Sequence, residues 1–323
     1  MSTRRLLLTL LTRMIVNNKR KRTVMKNRLI AAGVGVALAA SLSACGSSNS
    51  GSSATGTISV VAGENFYGNI VSQIGGSHVK VTSIISDPNT DPHEYESSAK
   101  NAADIESARL VVDNGVGYDD FMNQLLQTAP DSNRTVITAS KVLGIGGSNP
   151  NPHLWYDTAK MPELATAIAA DLGKIQPDNA ATFRANAAAF TKSLAPITAV
   201  IDKIKTKYAG TKIAYTERVP GYLVQAAGLD LGIPASFTQA VEDGDDPSPA
   251  DTAAFDQALK THTVKALLYN AQVTDAQTDQ LKALATSSGV PIVPVTETMP
   301  PTAKDYQAWQ LSQAQALLTA LGG

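Results

Sequence analysis

Two histidines in this chain follow directly on a proline, in Asp91-Pro92-His93-Glu94-Tyr95-Glu96 and in Asn151-Pro152-His153-Leu154-Trp155, and the whole sequence holds only four histidines. The proline ring fixes φ and removes a backbone donor, so each imidazole leaves from a stiffened loop. A donor presented this way loses less entropy when it coordinates an ion, so the pair points to metal binding. One such dipeptide is an ordinary turn. Two in near-identical settings, in a chain so poor in histidine, form a constellation.

The elements that must position these side chains are read from periodicity. Runs rich in β-branched residues at 58–62, 79–85, 109–113 and 135–137 alternate with helical apolar spacing at 65–75, 97–107 and 118–128. The pattern returns after residue 210. Strands are expected there at 212–216, 236–239, 264–269 and 291–295, and helices at 222–228, 250–261, 275–288 and 304–321. Such alternation predicts an α/β protein of two lobes, 57–176 and 210–323, each with a mostly parallel four-stranded sheet flanked by helices.

Between the lobes, a helix at 163–175 stops at Gln176-Pro177. One long backbone helix then fills the connecting segment 177–209, capped by Asp178 and running to about Tyr208, with Pro196 bending it. Phe183, Ala187, Phe190, Leu194, Ile197, Ile201 and Ile204 lie along one stripe of it. Some 45 Å long at the helical rise, it is a stiff spine rather than a linker.

In open α/β sheets, ligands bind outside the carboxyl ends of the strands. Four good donors meet that condition: His93 after the strand ending at 85, His153 after the strand ending at 137, Glu217 after 212–216 and Glu297 after 291–295. Each lobe supplies two, so a cation held by all four would bridge them. Two imidazoles and two carboxylates suit zinc in a tetrahedral site, or manganese if the carboxylates chelate.

Residues 1–44 carry nine Lys or Arg and no acid, and end in the apolar run Leu29 to Ala44. A basic stretch, an apolar stretch and small residues at the cut describe a secretory signal peptide, and the run is shorter than the ~20 residues of a membrane-spanning helix. Met25-Lys26-Asn27-Arg28 would begin a signal of ordinary length, so Met1 and Met25 both stand as starts. Cys45 is the only cysteine, which rules out an intramolecular disulfide. Residues 46–56 are Gly, Ser, Ala, Thr and Asn, a flexible tether. Without the signal, 18 basic residues face 28 acidic ones, a formal net charge of −10 that disfavours nucleic acid as a partner.

Leu42-Ser43-Ala44-Cys45-Gly46 resembles a bacterial lipobox. The mature chain as a whole resembles the metal-binding, solute-binding lipoproteins of bacterial zinc and manganese ABC importers, through both Pro-His motifs, their order, the mid-chain helix and that lipobox. The resemblance implies a lipid anchor on Cys45, an extracytoplasmic monomer held at the cell membrane, and an ABC permease and cytoplasmic ATPase as partners. It places the first two metal ligands on His93 and His153, the third on Glu217 and the fourth on Glu297. The family more often has Asp at the last position, and Ser97 stands where it has proline after Glu96. Zinc or manganese would be cargo, with no catalytic cofactor.

Four protein donors leave no open position for catalytic water, so capture and release is expected rather than catalysis. The competing readings are an exported zinc metallohydrolase with Glu217 or Glu297 as base, and a surface adhesin of the same fold. Against the first, neither His-Glu-x-x-His nor Gly-x-Ser-x-Gly occurs. Tyr95 and Trp155 are expected to pack around the site. His78 and His262 read as structural, Asp87, Asp91, Asp119 and Asp120 as solvated loop or cap carboxylates, and Glu242-Asp243-Gly244-Asp245-Asp246 as a mobile acidic loop.

Overall fold

The computed structural model describes residues 56–323 apart from Asn89, Asp91–Glu94 and Val273. His93, the signal peptide and Cys45 with most of its tether lie outside the described residues.

The first half alternates as its periodicity requires. Strand β1 (Ile58–Glu64) leads into α1 (Asn65–Gly75), then β2 (Val79–Ile85), α2 (Ala99–Ser107), β3 (Leu110–Asp113), α3 (Asp120–Thr128), β4 (Thr135–Thr138) and the short α4 (Ala139–Val142). The strands form one sheet in the order β2-β1-β3-β4, every pair parallel. Parallel neighbours need long crossovers, which the helices supply, and both faces are thereby covered. All four residues of β3 are accordingly buried.

The second half repeats the plan with β5 (Lys212–Tyr215), α8 (Gly221–Ala226), β6 (Asp230–Leu231), α9 (Ala235–Glu242), α10 (Pro249–Lys260), β7 (Leu267–Asn270), α11 (Ala276–Ser287), β8 (Ile292–Val295) and α12 (Tyr306–Ala320). Its sheet runs β6-β5-β7-β8, again wholly parallel. Residues 236–239, expected as a strand, are helical. Phe237, Thr238 and Val241 are buried at helical spacing, and the edge strand is instead Asp230–Leu231.

Three helices lie between the sheets: α5 (Met161–Ile175), α6 (Ala180–Ser193) and α7 (Ala195–Tyr208). The expected spine is therefore two segments joined at Leu194. Pro196 has no N–H to give, and the chain tightens around it: Leu194 N bonds Thr191 O at 3.2 Å and Ile197 N bonds Leu194 O at 3.0 Å, both i→i−3. The apolar stripe survives the break, with all seven of its residues buried. Asp178 belongs to a short 3₁₀ turn, and Asn179 occupies the cap position of α6.

One apolar core runs through Val60, Phe66, Trp155, Leu164, Phe190, Ile201, Leu223, Val293 and Trp309, so residues of both halves pack into a single cluster. A shared core of this kind allows small adjustments between the sheets and resists wide opening.

Candidate metal centre

In each sheet the strand order reverses beside the first strand, between β1 and β3 and between β5 and β7. Crevices form at such switch points because successive connections leave on opposite faces. Among the described candidate donors, Glu217 and Glu297 stand just past the carboxyl ends of β5 and β8.

His153 follows Pro152 and precedes a 3₁₀ turn at Leu154–Tyr156. Its ring is fully buried, edge-on to Trp155 at 5.3 Å and to Tyr118 at 5.7 Å between centroids. Trp155 in turn stacks on Phe66 at 4.2 Å, so aromatic packing fixes the imidazole plane. His153 Nδ1 lies 2.8 Å from Asn151 Oδ1, and His153 Nε2 lies 3.7 Å from Glu297 Oε2.

Glu217 and Glu297 are buried as well, at the ends of β5 and β8. They share one donor. Asn270, the last residue of β7, gives its side-chain N–H₂ to Glu217 Oε2 at 3.0 Å and to Glu297 Oε1 at 2.8 Å. Tyr118 Oη donates to Glu297 Oε2 at 2.9 Å. Burial first, then Glu297 and Glu64, push the Tyr118 hydroxyl well above the usual phenol range, so it remains a donor. Gln272 accepts from the backbone of Glu297 and Thr298 and donates to Thr90 O at 2.8 Å, tying the last loop to the segment after β2.

His153 and Glu297 thus meet from the two halves, and Glu217 is tied to Glu297 through Asn270. Among the described residues no three His, Cys, Asp or Glu side chains are close enough to hold an ion by themselves. Asn270 and Tyr118 stand among the carboxylates and take up their oxygens. One imidazole and two carboxylates are nitrogen and oxygen donors of the kind that suit zinc and manganese.

Other expectations fare unevenly. Trp155 packs on His153, whereas Tyr95 packs on Phe121 and donates to Asn101 Oδ1 at 3.0 Å. Asp119 is buried rather than solvated, and its carboxylate accepts from Asn114 N at 2.6 Å and Gly115 N at 2.8 Å. Burial, then Asp113, push it up to about 7. Glu242 ends α9 and makes a two-pronged pair with Arg218 at 2.8 and 2.6 Å, so the acidic run begins in an anchored residue. His78 packs edge-on to Phe183, and His262 takes a left-handed φ of 55° after α10, consistent with structural roles.

Tyr118 and Asn270 were not anticipated. Asn270 stands at a strand's carboxyl end, the same signal that marks Glu217, but it carries no charge to single it out beside the carboxylates. Tyr118 follows the turn Gly115-Val116-Gly117, where three consecutive residues have positive φ. That turn is unusual enough to mark a site, although it does not say for what.

The family profile for the zinc-uptake complex component A, periplasmic (ZnuA), matches residues 60–320. The chain is 25% identical over 246 residues to the manganese-binding lipoprotein MntA of Bacillus subtilis, covering 72% of this chain and 78% of that protein. It is 24% identical over 269 residues to the manganese ABC transporter substrate-binding lipoprotein scaA of Streptococcus gordonii, covering 78% and 83%. The fold matches the periplasmic zinc binding protein TroA from Treponema pallidum with a TM-score of 0.71, at 17% identity, over 83% of this chain and 100% of that one.

Proposed function

The chain belongs to the periplasmic zinc-uptake component A family, and on that premise we propose that it is the substrate-binding lipoprotein of an ABC importer for a divalent transition metal. In this reading it captures zinc or manganese in the cleft between its sheets and delivers the ion to a membrane permease driven by a cytoplasmic ATPase. His93, His153, Glu217 and Glu297 are the ligands. Cys45 carries the lipid that holds the monomer on the outer side of the cell membrane.

One observation carries the reading. An imidazole from the first half and two carboxylates from the second meet in a buried group, with His153 Nε2 3.7 Å from Glu297 Oε2 and Asn270 joining both carboxylates. Burying two carboxylates is costly unless something positive or hydrogen-bonding compensates them, and a divalent ion does so best. The relatives' names support the class of cargo, since MntA and scaA are manganese proteins and TroA a zinc protein. With four protein donors the ion has no place for a reacting water, so the protein carries the metal and does no chemistry on it.

The test is elemental analysis of protein purified without added metal, followed by competition titration with zinc and manganese. Binding of one or both ions, weakened at least tenfold by His153→Ala, supports the reading. Undiminished binding in His153→Ala together with Glu297→Ala would refute the site.

A further inference from the structure

We propose that Asn151 is a positioning residue through which the arrangement of the two lobes selects the tautomer of His153, and with it the grip on the cargo. The inference rests on His153 being a ligand, as proposed above.

The amide of Asn151 has two unlike ends, and backbone groups of fixed polarity decide how it points. Its Nδ2 lies 2.8 Å from the carbonyl of Arg218, which can only accept. Its Oδ1 lies 3.1 Å from the backbone N–H of His153, which can only donate. The orientation is therefore determined. The same Oδ1 is 2.8 Å from His153 Nδ1, so in the neutral ring Nδ1 carries the proton. The lone pair then sits on Nε2, the nitrogen turned toward Glu297. A reversed amide would present N–H₂ to Nδ1 and favour the proton on Nε2, a form that cannot donate to a metal there.

Two groups keep the amide from reversing, the His153 N–H of its own loop and the Arg218 carbonyl of the other lobe. Arg218 directly follows Glu217, and its guanidinium is pinned by Glu242 and by Asn149 Oδ1 at 3.1 Å. Tyr222 Oη donates to Asn151 O at 2.9 Å. Gly221 leaves the space the amide fills, since a methyl group there would stand 2.6 Å from Asn151 Nδ2. If the lobes part along this edge, the amide loses the one acceptor that distinguishes its N–H₂ end. Only the His153 N–H then holds the amide, so the wrong tautomer gains population and the ion is held less firmly. A permease that pries this edge open would lower affinity without protonating a ligand or unfolding the site.

The experiment uses metal-free full-length protein labelled with ¹⁵N-histidine at about pH 8, where imidazole is neutral, with long-range ¹H–¹⁵N spectra reporting the His153 tautomer. Zinc and manganese titrations run alongside. Wild type is expected to show Nδ1–H. Gly221→Ala pushes on the amide from the second lobe and touches no proposed ligand. It should raise the Nε2–H population and weaken affinity about 10–100-fold, the usual cost of disturbing a ligand's supporting contact. Asn151→Leu should do the same, and Asn151→Asp, which keeps an acceptor for Nδ1–H, should restore the tautomer. An unchanged tautomer in both Gly221→Ala and Asn151→Leu overturns the proposal, even if both variants melt earlier. Because the tautomer is read without metal, a wild type that binds neither ion would defeat the importer reading alone.

Discussion

Tyr118 Oη donates to Glu297 Oε2 at 2.9 Å, joining two buried residues 179 positions apart. The hydroxyl comes from the loop after β3 and the carboxylate from the loop after β8. A carboxylate aimed in this way loses little freedom on coordinating an ion.

Tyr118→Phe should therefore weaken metal affinity by about tenfold. It should also cost about 1.5–3 kcal/mol of folding stability, as loss of a hydrogen bond to a charged group does. Competition titration and urea denaturation measure the two separately. Unchanged affinity would mean that the Tyr118 hydroxyl does not aim Glu297.

Asn270→Ala removes the donor shared by Glu217 and Glu297. Each buried carboxylate left short of a donor costs about 1–3 kcal/mol. The metal-free protein should lose several degrees in Tm, and saturating zinc should recover much of the loss, because a bound ion replaces the missing compensation. An equal loss with and without zinc would argue that the carboxylates do not face the ion.

Asp119 makes stability depend on pH. Burial, then Asp113, raise it from 3.8 to about 7, so the folded state holds this proton more tightly than the unfolded chain does. Its contribution is complete below about pH 4 and is lost as pH rises through about 7, at up to about 1.4 kcal/mol per pH unit between. Glu64 shifts in the same direction, from burial first and then Asp119 and Asp113, and neither of its carboxylate oxygens has a hydrogen-bond partner among the described residues. Asp119→Asn should thus gain stability relative to wild type as pH goes from about 4.5 to about 7. Urea midpoints at both values check the sign.

Phe183→Ala tests the packing of α6. Phe183 is wholly buried and meets the edge of His78. Its loss should cost about 3–5 kcal/mol by chemical denaturation. Metal affinity of the folded fraction should stay unchanged, because the ring that Phe183 meets is His78, which is not a proposed ligand.

Much of the fold is legible locally. The helix at Asn65–Gly75 and the strand at Val79–Ile85 coincide with the periodicity, and the stripe from Phe183 to Ile204 is buried throughout. Residues 236–239 misled because four residues cannot separate a period of 2 from one of 3.6. The break at Leu194 was visible as Pro196, but its i→i−3 bonds were not. Glu217 and Glu297 stand out in the sequence because each puts a carboxylate just past a strand, and His153 because it follows a proline. Asp119 could not be told from its exposed neighbour Asp120, since burial depends on what folds over a residue.

The sequence by itself determined the alternation of strands and helices and the donors that follow the strands, because propensity and periodicity act between near neighbours. Only the tertiary structure decided that Tyr118 and Asn270 hold the carboxylates and that Asn151 turns its oxygen to His153. Those contacts join segments from different sheets, and hydrogen-bond geometry depends on fractions of an ångström that the linear order of residues does not encode.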